Sequence, residues 1–316
     1  MSRPAFTVLE LLACIGVVAL LLTLALPAVQ AAREQSRAVA CVNNQKQVTL
    51  TLLELCGSSQ QESPTSVSFV ADVSERLDLP IPNRIGFVRG SGTRLNNGDR
   101  WETPALWQCP STTYFSPERG NTSYWINGGD ALQGPDHGVI TPGSREIGTD
   151  QIVDGRSQTA LLGERQPNLS SLPVSFRTPA PFPPEHILFY RRIGTIPGFG
   201  ATFHNEFNRR CTSSTAPLGG RSGQVSIEGQ GHRNGYDHLS PPNAYSCLPV
   251  DATSQLGSTT QQNLPSYQNL PANSEHNGFV TISFADGSSR KITDSIDRQT
   301  WQALGTSRTR DVVPTF

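Results

Sequence analysis

The chain opens on an apolar run, residues 6–27 (FTVLELLACIGVVALLLTLALP), broken by a single charge, Glu10. Residues 11–29 carry no formal charge, close to the ~20 apolar residues a helix needs to cross a ~30 Å hydrocarbon layer. Beyond Pro27 the pattern becomes amphipathic. Cys41, Val48, Leu52 and Leu55 fall at the intervals of one helical face, while Arg33, Glu34, Arg37 and Lys46 are interleaved positions suited to water or a subunit boundary. Gly57 supplies the stop. The pattern predicts one helix over residues 6–56, roughly 75 Å long at 1.5 Å per residue. Its first half is apolar all round, and its second half packs on a head. Pro27 removes one backbone hydrogen bond and is expected to bend or loosen the rod.

From Ser58 the pattern changes. Short apolar runs at 67–73 and 85–88 precede WETPALWQCPST (101–112) and NTSYWINGGD (121–130), which read as strands between Gly and Asn turns. Residues 152–165 read as a turn at Asp154-Gly155 and then a buried segment, 159–162. Residues 166–273 are dominated by Pro, Ser, Gly and Asn, consistent with ordered loops over a sheet or a freely varying insertion. At the end, residues 279–284 and 289–293 flank Asp286-Gly287, predicting a hairpin with a type I′ turn. Asp294 is expected to cap a last helix, with Asp297 in its first turn, Ile296, Trp301 (or Thr300) and Leu304 on its inner face, and Gly305 at its end. The expected fold is α+β: a long N-terminal helix on a loop-rich, mainly antiparallel β head.

Composition sharpens this picture. Its 28 glycines and 24 prolines argue for a loop-rich body rather than a helical bundle. A net charge of −1 leaves no electrostatic footprint for nucleic acid. Of six cysteines, Cys14 lies in the apolar run, and the odd number left means that at least one is free or pairs between chains. Cys41 on the inward helix face and Cys109 at a strand end are candidates for one bridge, Cys211 and Cys247 for a second, with Cys56 left over. The alternative is that two or more stay as small buried residues.

Candidate chemistry is sparse. His232 and His238 lie near Asp237 in HRNGYDH, with His186 and His204 upstream, but this is no dedicated metal spacing. Glu164 is a lone acid with no visible partner. No serine sits in a G-x-S-x-G elbow and no glycine-rich phosphate loop occurs. No nucleophile, base and orienting group can be named together. No catalytic, cofactor-binding or metal-ligating residue is therefore assigned, and no cofactor is expected.

Glu10 needs an explanation, because a lone carboxylate in lipid costs roughly 2.5–3.5 kcal/mol on insertion scales. Three readings of the N-terminus compete. A secretory signal would be cut after Val29-Gln30-Ala31, exposing Ala32, yet Glu10 sits awkwardly in its core and Arg3 is its only basic residue. A lipoprotein signal at Leu11-Leu12-Ala13-Cys14 would have its apolar core on the wrong side of the cysteine. The third pattern is a short leader, a small residue, an aromatic residue, and glutamate at the fifth place beyond the cut. That pattern resembles a type IV prepilin signal. The resemblance implies cleavage between Ala5 and Phe6 by prepilin peptidase, N-methylation of Phe6, and pairing of Glu10 with the terminal amine of a neighbouring subunit. A paired charge in an apolar core is tolerable where a lone one is not. Ala5 departs from the commoner glycine. The implied organisation is a leader (1–5), a transmembrane half-helix (6–29), an amphipathic half (30–57) and an extracytoplasmic head (58–316).

A second resemblance is carried by the tail. His276, nine residues, then Asp286-Gly287 is an H-X9-DG pattern. With LPAVQAAREQSR, CVNNQKQ, the CPS at 109–111, DGRSQTALLGE, PPNAYSC and SIDRQTWQALG, it is similar to the prepilin-type DUF1559 family. That family has no established biochemical activity, so the likeness implies architecture and export route more than purpose. It implies a single-pass inner-membrane protein with its head in the periplasm or outside the cell. Its partners would be prepilin peptidase, the membrane and other pilin-like subunits of a type IV pilus or type II secretion-like system. His276 is expected to bond loop backbone and hold the start of the hairpin. Two simpler or rival readings remain: an anchor with a helical stalk and no assembly, or a tethered binding module or polysaccharide-active hydrolase using a prepilin-type export signal.

Overall fold

The computed structural model describes residues 7–57, 69–80, 87–88, 92–93, 103–112, 122–129, 138–139, 147–150, 152–166, 190–193, 206, 209–211, 213, 217–218, 235–249 and 269–309. Within these, α1 (Val8–Gly57) is a single helix that continues through Pro27. Its N-terminus is a reciprocal cap. The Thr7 backbone N–H and hydroxyl donate to the Glu10 carboxylate at 2.9 and 2.8 Å, and the Glu10 N–H donates to the Thr7 hydroxyl at 3.3 Å. This is a Thr-x-x-Glu capping box, which satisfies orphan donors that every helix start leaves.

The two halves of α1 live in different surroundings. Its apolar side chains from Val8 through Val29 are exposed, and the helix is long and apolar enough to cross a membrane. Burial begins at Ala38 and follows Cys41, Gln45, Val48, Leu52 and Leu55 at alternating steps of three and four, one stripe of the helix. The expected inner face is therefore present, with a polar residue, Gln45, inside it. Its amide donates to the carbonyls of Leu162 and Thr281 at 3.0 and 3.2 Å.

After α1 come α2 (Phe69–Arg76), a two-residue pair β1 (Phe87–Val88) with β2 (Gly92–Thr93), and a single 3₁₀ turn at Ala105–Trp107. The strand expected over 101–112 is thus not formed at 105–107. There the tryptophan turns inward, packs edge-on against Phe69 at 5.9 Å and donates its indole N–H to Ser74 at 2.9 Å. Burying that ring beside α2 outweighs local strand propensity.

The main sheet contains β3 (Tyr124–Asn127), β4 (Ala160–Glu164), β7 (Gly235–Tyr236), β9 (Phe279–Phe284) and β10 (Ser289–Thr293), in the order β10-β9-β4-β3-β7. All neighbours are antiparallel except β3 with β7, so the sheet is mixed and the fold α+β. Alternation sorts its residues to two faces. Tyr124, Ile126 and Leu162 join the α1 and α2 side chains in one core. Trp125, Ala160, Val280, Ile282 and Phe284 join Tyr236, Trp301 and Leu304 in another. Gly163 lets the Tyr236 ring approach, since a methyl group there would sit 2.5 Å from it. A smaller sheet joins β6 (Pro217–Leu218), β5 (Tyr190–Ile193) and β8 (Ser246–Pro249).

The terminal hairpin and helix form, with two local corrections. Gly287 has φ +85°, but Asp286 is not left-handed, so the turn is not type I′. The Gly287 N–H donates to Phe284 O at 2.9 Å and the Phe284 N–H to Ser288 O at 2.8 Å. That is a type I turn closed by a left-handed glycine, the common three-residue hairpin. The last helix, α3 (Arg298–Gly305), is capped by Asp297, whose carboxylate accepts the Thr300 N–H at 3.0 Å, and not by Asp294.

Candidate functional site

Four of the residues that the sequence singled out, Cys41, Cys109, Glu164 and His276, gather where α1 crosses the main sheet. Cys41 on the inner stripe and Cys109, just past the 3₁₀ turn, form a disulfide, and Cys211 is bonded to Cys247 on β8. Cys14 and Cys56 are free thiols. Burial, aided by nearby Asp150, pushes the Cys56 thiol up to about 12, so it stays protonated and inert at neutral pH.

His276 lies beside the first bridge. Its Nδ1 is 2.6 Å from Glu34 Oε1, and its Nε2 is 3.4 Å from Cys109 Sγ and 3.8 Å from Glu164 Oε1. Its ring stacks on Phe279 at 4.8 Å. The expected bond to loop backbone is replaced by a side-chain bond to α1. Three segments that looked unrelated in the chain thus meet. Glu34, expected in water or at a subunit boundary, faces the head and accepts from Ser111 of the CPS turn at 3.1 Å as well as from Arg37 Nε at 2.9 Å. Glu164, expected to be alone, ends β4 fully buried and accepts from the N–H and hydroxyl of Thr281 at 3.3 and 3.0 Å.

Electrostatics assign the protons. Burial works against the Glu34 charge, but bonds from His276, Arg37 and Ser111 hold its carboxyl below the ordinary range. An ionised carboxylate only accepts, so His276 donates from Nδ1. Burial lowers the His276 imidazole and outweighs the pull of Glu34, leaving an Nε2 lone pair aimed at Cys109 and Glu164. Glu164 is raised to about 8 by burial, with Thr281 opposing and the charges of Glu34 and Glu275 assisting. Its proton belongs on Oε1, because Oε2 takes both Thr281 bonds, and Oε1 has no hydrogen-bond partner. The 3.8 Å gap to Nε2 exceeds a hydrogen bond. Two acids therefore flank one buried imidazole, Glu164 enclosed and Glu34 partly open to solvent, a geometry that ties helix to sheet.

The other sequence candidates stand apart from this seam. His238 is buried between Tyr236 and Trp301, bonded to the Trp301 carbonyl at 2.8 Å and the Tyr236 hydroxyl at 3.1 Å. Burial lowers it to about 3, the state of a neutral core histidine. Asp237 accepts from the N–H groups of Leu239 and Leu270. Ala5, Phe6, His186, His204 and His232 lie outside the described residues. Asp286 accepts from Ser288 within the hairpin turn, and Gly287 presses on Leu50 of α1. Sequence reading missed Glu34 and Ser111, and the charged position on the margin of the inner helix stripe was the available signal for Glu34. Comparison with protein-family models, curated proteins and solved structures finds no match for this chain.

Proposed function

We propose that this chain is a pilin-like or pseudopilin-like structural subunit. Prepilin peptidase cuts it between Ala5 and Phe6 and methylates Phe6, and the mature chain is anchored in the inner membrane with its head outside the cytoplasm. Subunits then pack through the apolar half of α1 in a type IV pilus or type II secretion-like assembly. The observation that carries the reading is one continuous helix whose first half is bare and apolar while its second half is bolted to a head. Lateral packing of those bare halves is the driving force, and a Glu10–amine pair between neighbours sets axial register.

Within one chain, Glu10 already serves as half of a capping box, so a cap and an intermolecular pair must be told apart. Glu10→Gln separates them, because glutamine at this place still caps but carries no charge. The expected result is a membrane-inserted, folded Glu10→Gln subunit that no longer assembles in native membranes. Assembly at the wild-type level would reduce Glu10 to a capping role. Mass spectrometry of the mature N-terminus checks the processing step. N-methyl-Phe6 is expected, whereas a chain starting at Ala32 or at Met1 contradicts the proposal.

A further inference from the structure

The bridge beside His276 has an unusual surrounding for a structural disulfide. Cys41, Cys109, His276 and Glu164 are all buried, and one ligand atom from each lies within 4.8 Å of the other three. Both polar atoms that face the sulfurs lack a proper partner in the oxidised chain. His276 Nε2 presents a lone pair to Cys109 Sγ at 3.4 Å, and Glu164 Oε1 is completely enclosed with no hydrogen bond. The Nδ1 side of the same ring is gripped by Glu34 at 2.6 Å. A carboxylate on the far nitrogen is how metal-ligating histidines are usually oriented.

We propose that, in its thiol form, the chain binds one divalent zinc-type ion through Cys41, Cys109, His276 and Glu164, so that this seam closes either as a disulfide or around a metal. The site does not depend on the assembly reading. Two thiolates, one imidazole and one carboxylate are a zinc donor set, and bond lengths of about 2.0–2.3 Å place ligand atoms roughly 3.3–3.8 Å apart in a tetrahedron. The nitrogen–sulfur and nitrogen–oxygen gaps are already of that size. The sulfurs must part, which reduction permits, and the remaining gaps, all within 4.8 Å, need only side-chain adjustment to close. The balance is explicit: a dithiol or phosphine reductant gives two electrons to the bridge, two protons complete two thiols, and the metal then displaces both thiol protons and the Glu164 proton. Three anionic ligands on a divalent ion leave one negative charge, which Arg37 and Lys291 near His276 offset. In reverse, an added disulfide oxidant takes two electrons from the two thiolates and leaves as two thiols, the bridge re-forms and the metal is released, so the two states exclude each other.

The test uses the full chain in detergent with Cys14→Ser and Cys56→Ser, with and without Cys211→Ser/Cys247→Ser, reduced by a phosphine while cobalt(II) is present. The expected result is one cobalt per reduced chain, with tetrahedral d–d bands and thiolate charge transfer, displaced by zinc and absent from the oxidised chain. Glu164→Gln and His276→Gln should each weaken binding at least about tenfold, and Glu34→Gln, acting through the ring, about 10–100-fold. Uptake that is equal in the oxidised chain, or indifferent to Glu164→Gln and His276→Gln, overturns the site. A reduced chain that loses its helical circular dichroism in excess zinc overturns it too, because a ligand of the folded form should hold it folded.

Discussion

At Glu164 a buried acid keeps its proton to about pH 8, while an unfolded chain would release it near 4.5. His238 does the opposite: folded, it refuses a proton down to about 3, whereas an unfolded imidazole takes one near 6.5. His276 shifts in the same direction as His238, through burial. Proton linkage then fixes the sign on each side. Between pH 4.5 and 6.5 the proton that the folded state keeps on Glu164 offsets the one that the unfolded state takes on His238, so His276 alone tilts the balance and stability falls gently with acid; below 4.5 the His238 difference is no longer offset and the fall steepens. Between pH 6.5 and 8 the folded state binds the extra proton, on Glu164, so stability falls as pH rises. The oxidised protein should therefore be most stable just on the acid side of pH 6.5, where the two differences cancel, and lose up to about 1.4 kcal/mol per pH unit between there and pH 8. Urea unfolding across that range measures the limb. Glu164→Gln is expected to flatten it, and an unchanged slope would mean that another group titrates there.

At the scale of elements, the nine residues between His276 and Asp286 are a ruler laid along α1. One end is held by Glu34 through His276, and the other rests where Gly287 meets Leu50. Glu34 to Leu50 is about 24 Å of helix axis at 1.5 Å per residue. Between the two contacts the hairpin supplies β9, six residues long, at roughly 3.3 Å each, plus the bends at its ends. The His and Gly positions of the pattern are thus two places where the hairpin touches the helix. Gly287 also carries φ +85°, and a methyl group there would lie 2.9 Å from the Leu50 side chain. Gly287→Ala is expected to destabilise by about 1–2 kcal/mol, the cost of a left-handed alanine. Leu50→Ala in the same chain should recover only the steric part, since Leu50 is a flexible end and the backbone strain stays. A double-mutant cycle by chemical denaturation reads both parts, and full recovery would assign the whole cost to contact.

For the molecule as a whole, the question is how a rod with half its length uncovered stays joined to a head. Apolar burial from Val48, Leu52 and Leu55 does part of this, and Gln45 adds two bonds into the sheet. The Cys41–Cys109 bridge closes 68 residues of chain, worth about 4 kcal/mol in the chain-entropy account. It acts at the upper end of the contact, beside Glu34 and His276, where α1 leaves the sheet. Cys41→Ser/Cys109→Ser is therefore expected to lose stability of that order. It should also open α1 to proteolysis around residues 34–41 before the remainder of the head is cut. Retention of full stability and of that cleavage pattern would mean that packing alone holds the rod.

Much of this architecture was legible from residue order alone. The long helix, the change at Pro27 from uniformly apolar to striped, the final hairpin and α3 all follow from periodicities of 3.6 and 2, which record how each element exposes its own faces. Helical spacing also put Cys41 on the inner stripe, and the pairings offered for it with Cys109 and for Cys211 with Cys247 are the two that form. Tertiary structure alone decided the rest. Trp107 left its strand for a 3₁₀ turn because a core pocket beside α2 received its ring, and the hairpin took a three-residue loop because β9 and β10 pair in that register. The meeting of Glu34, Cys109, Ser111, Glu164 and His276 depends on sheet order and on where α1 crosses it. No local pattern encodes which distant group a buried acid will face, and that partner sets both its charge and its chemistry.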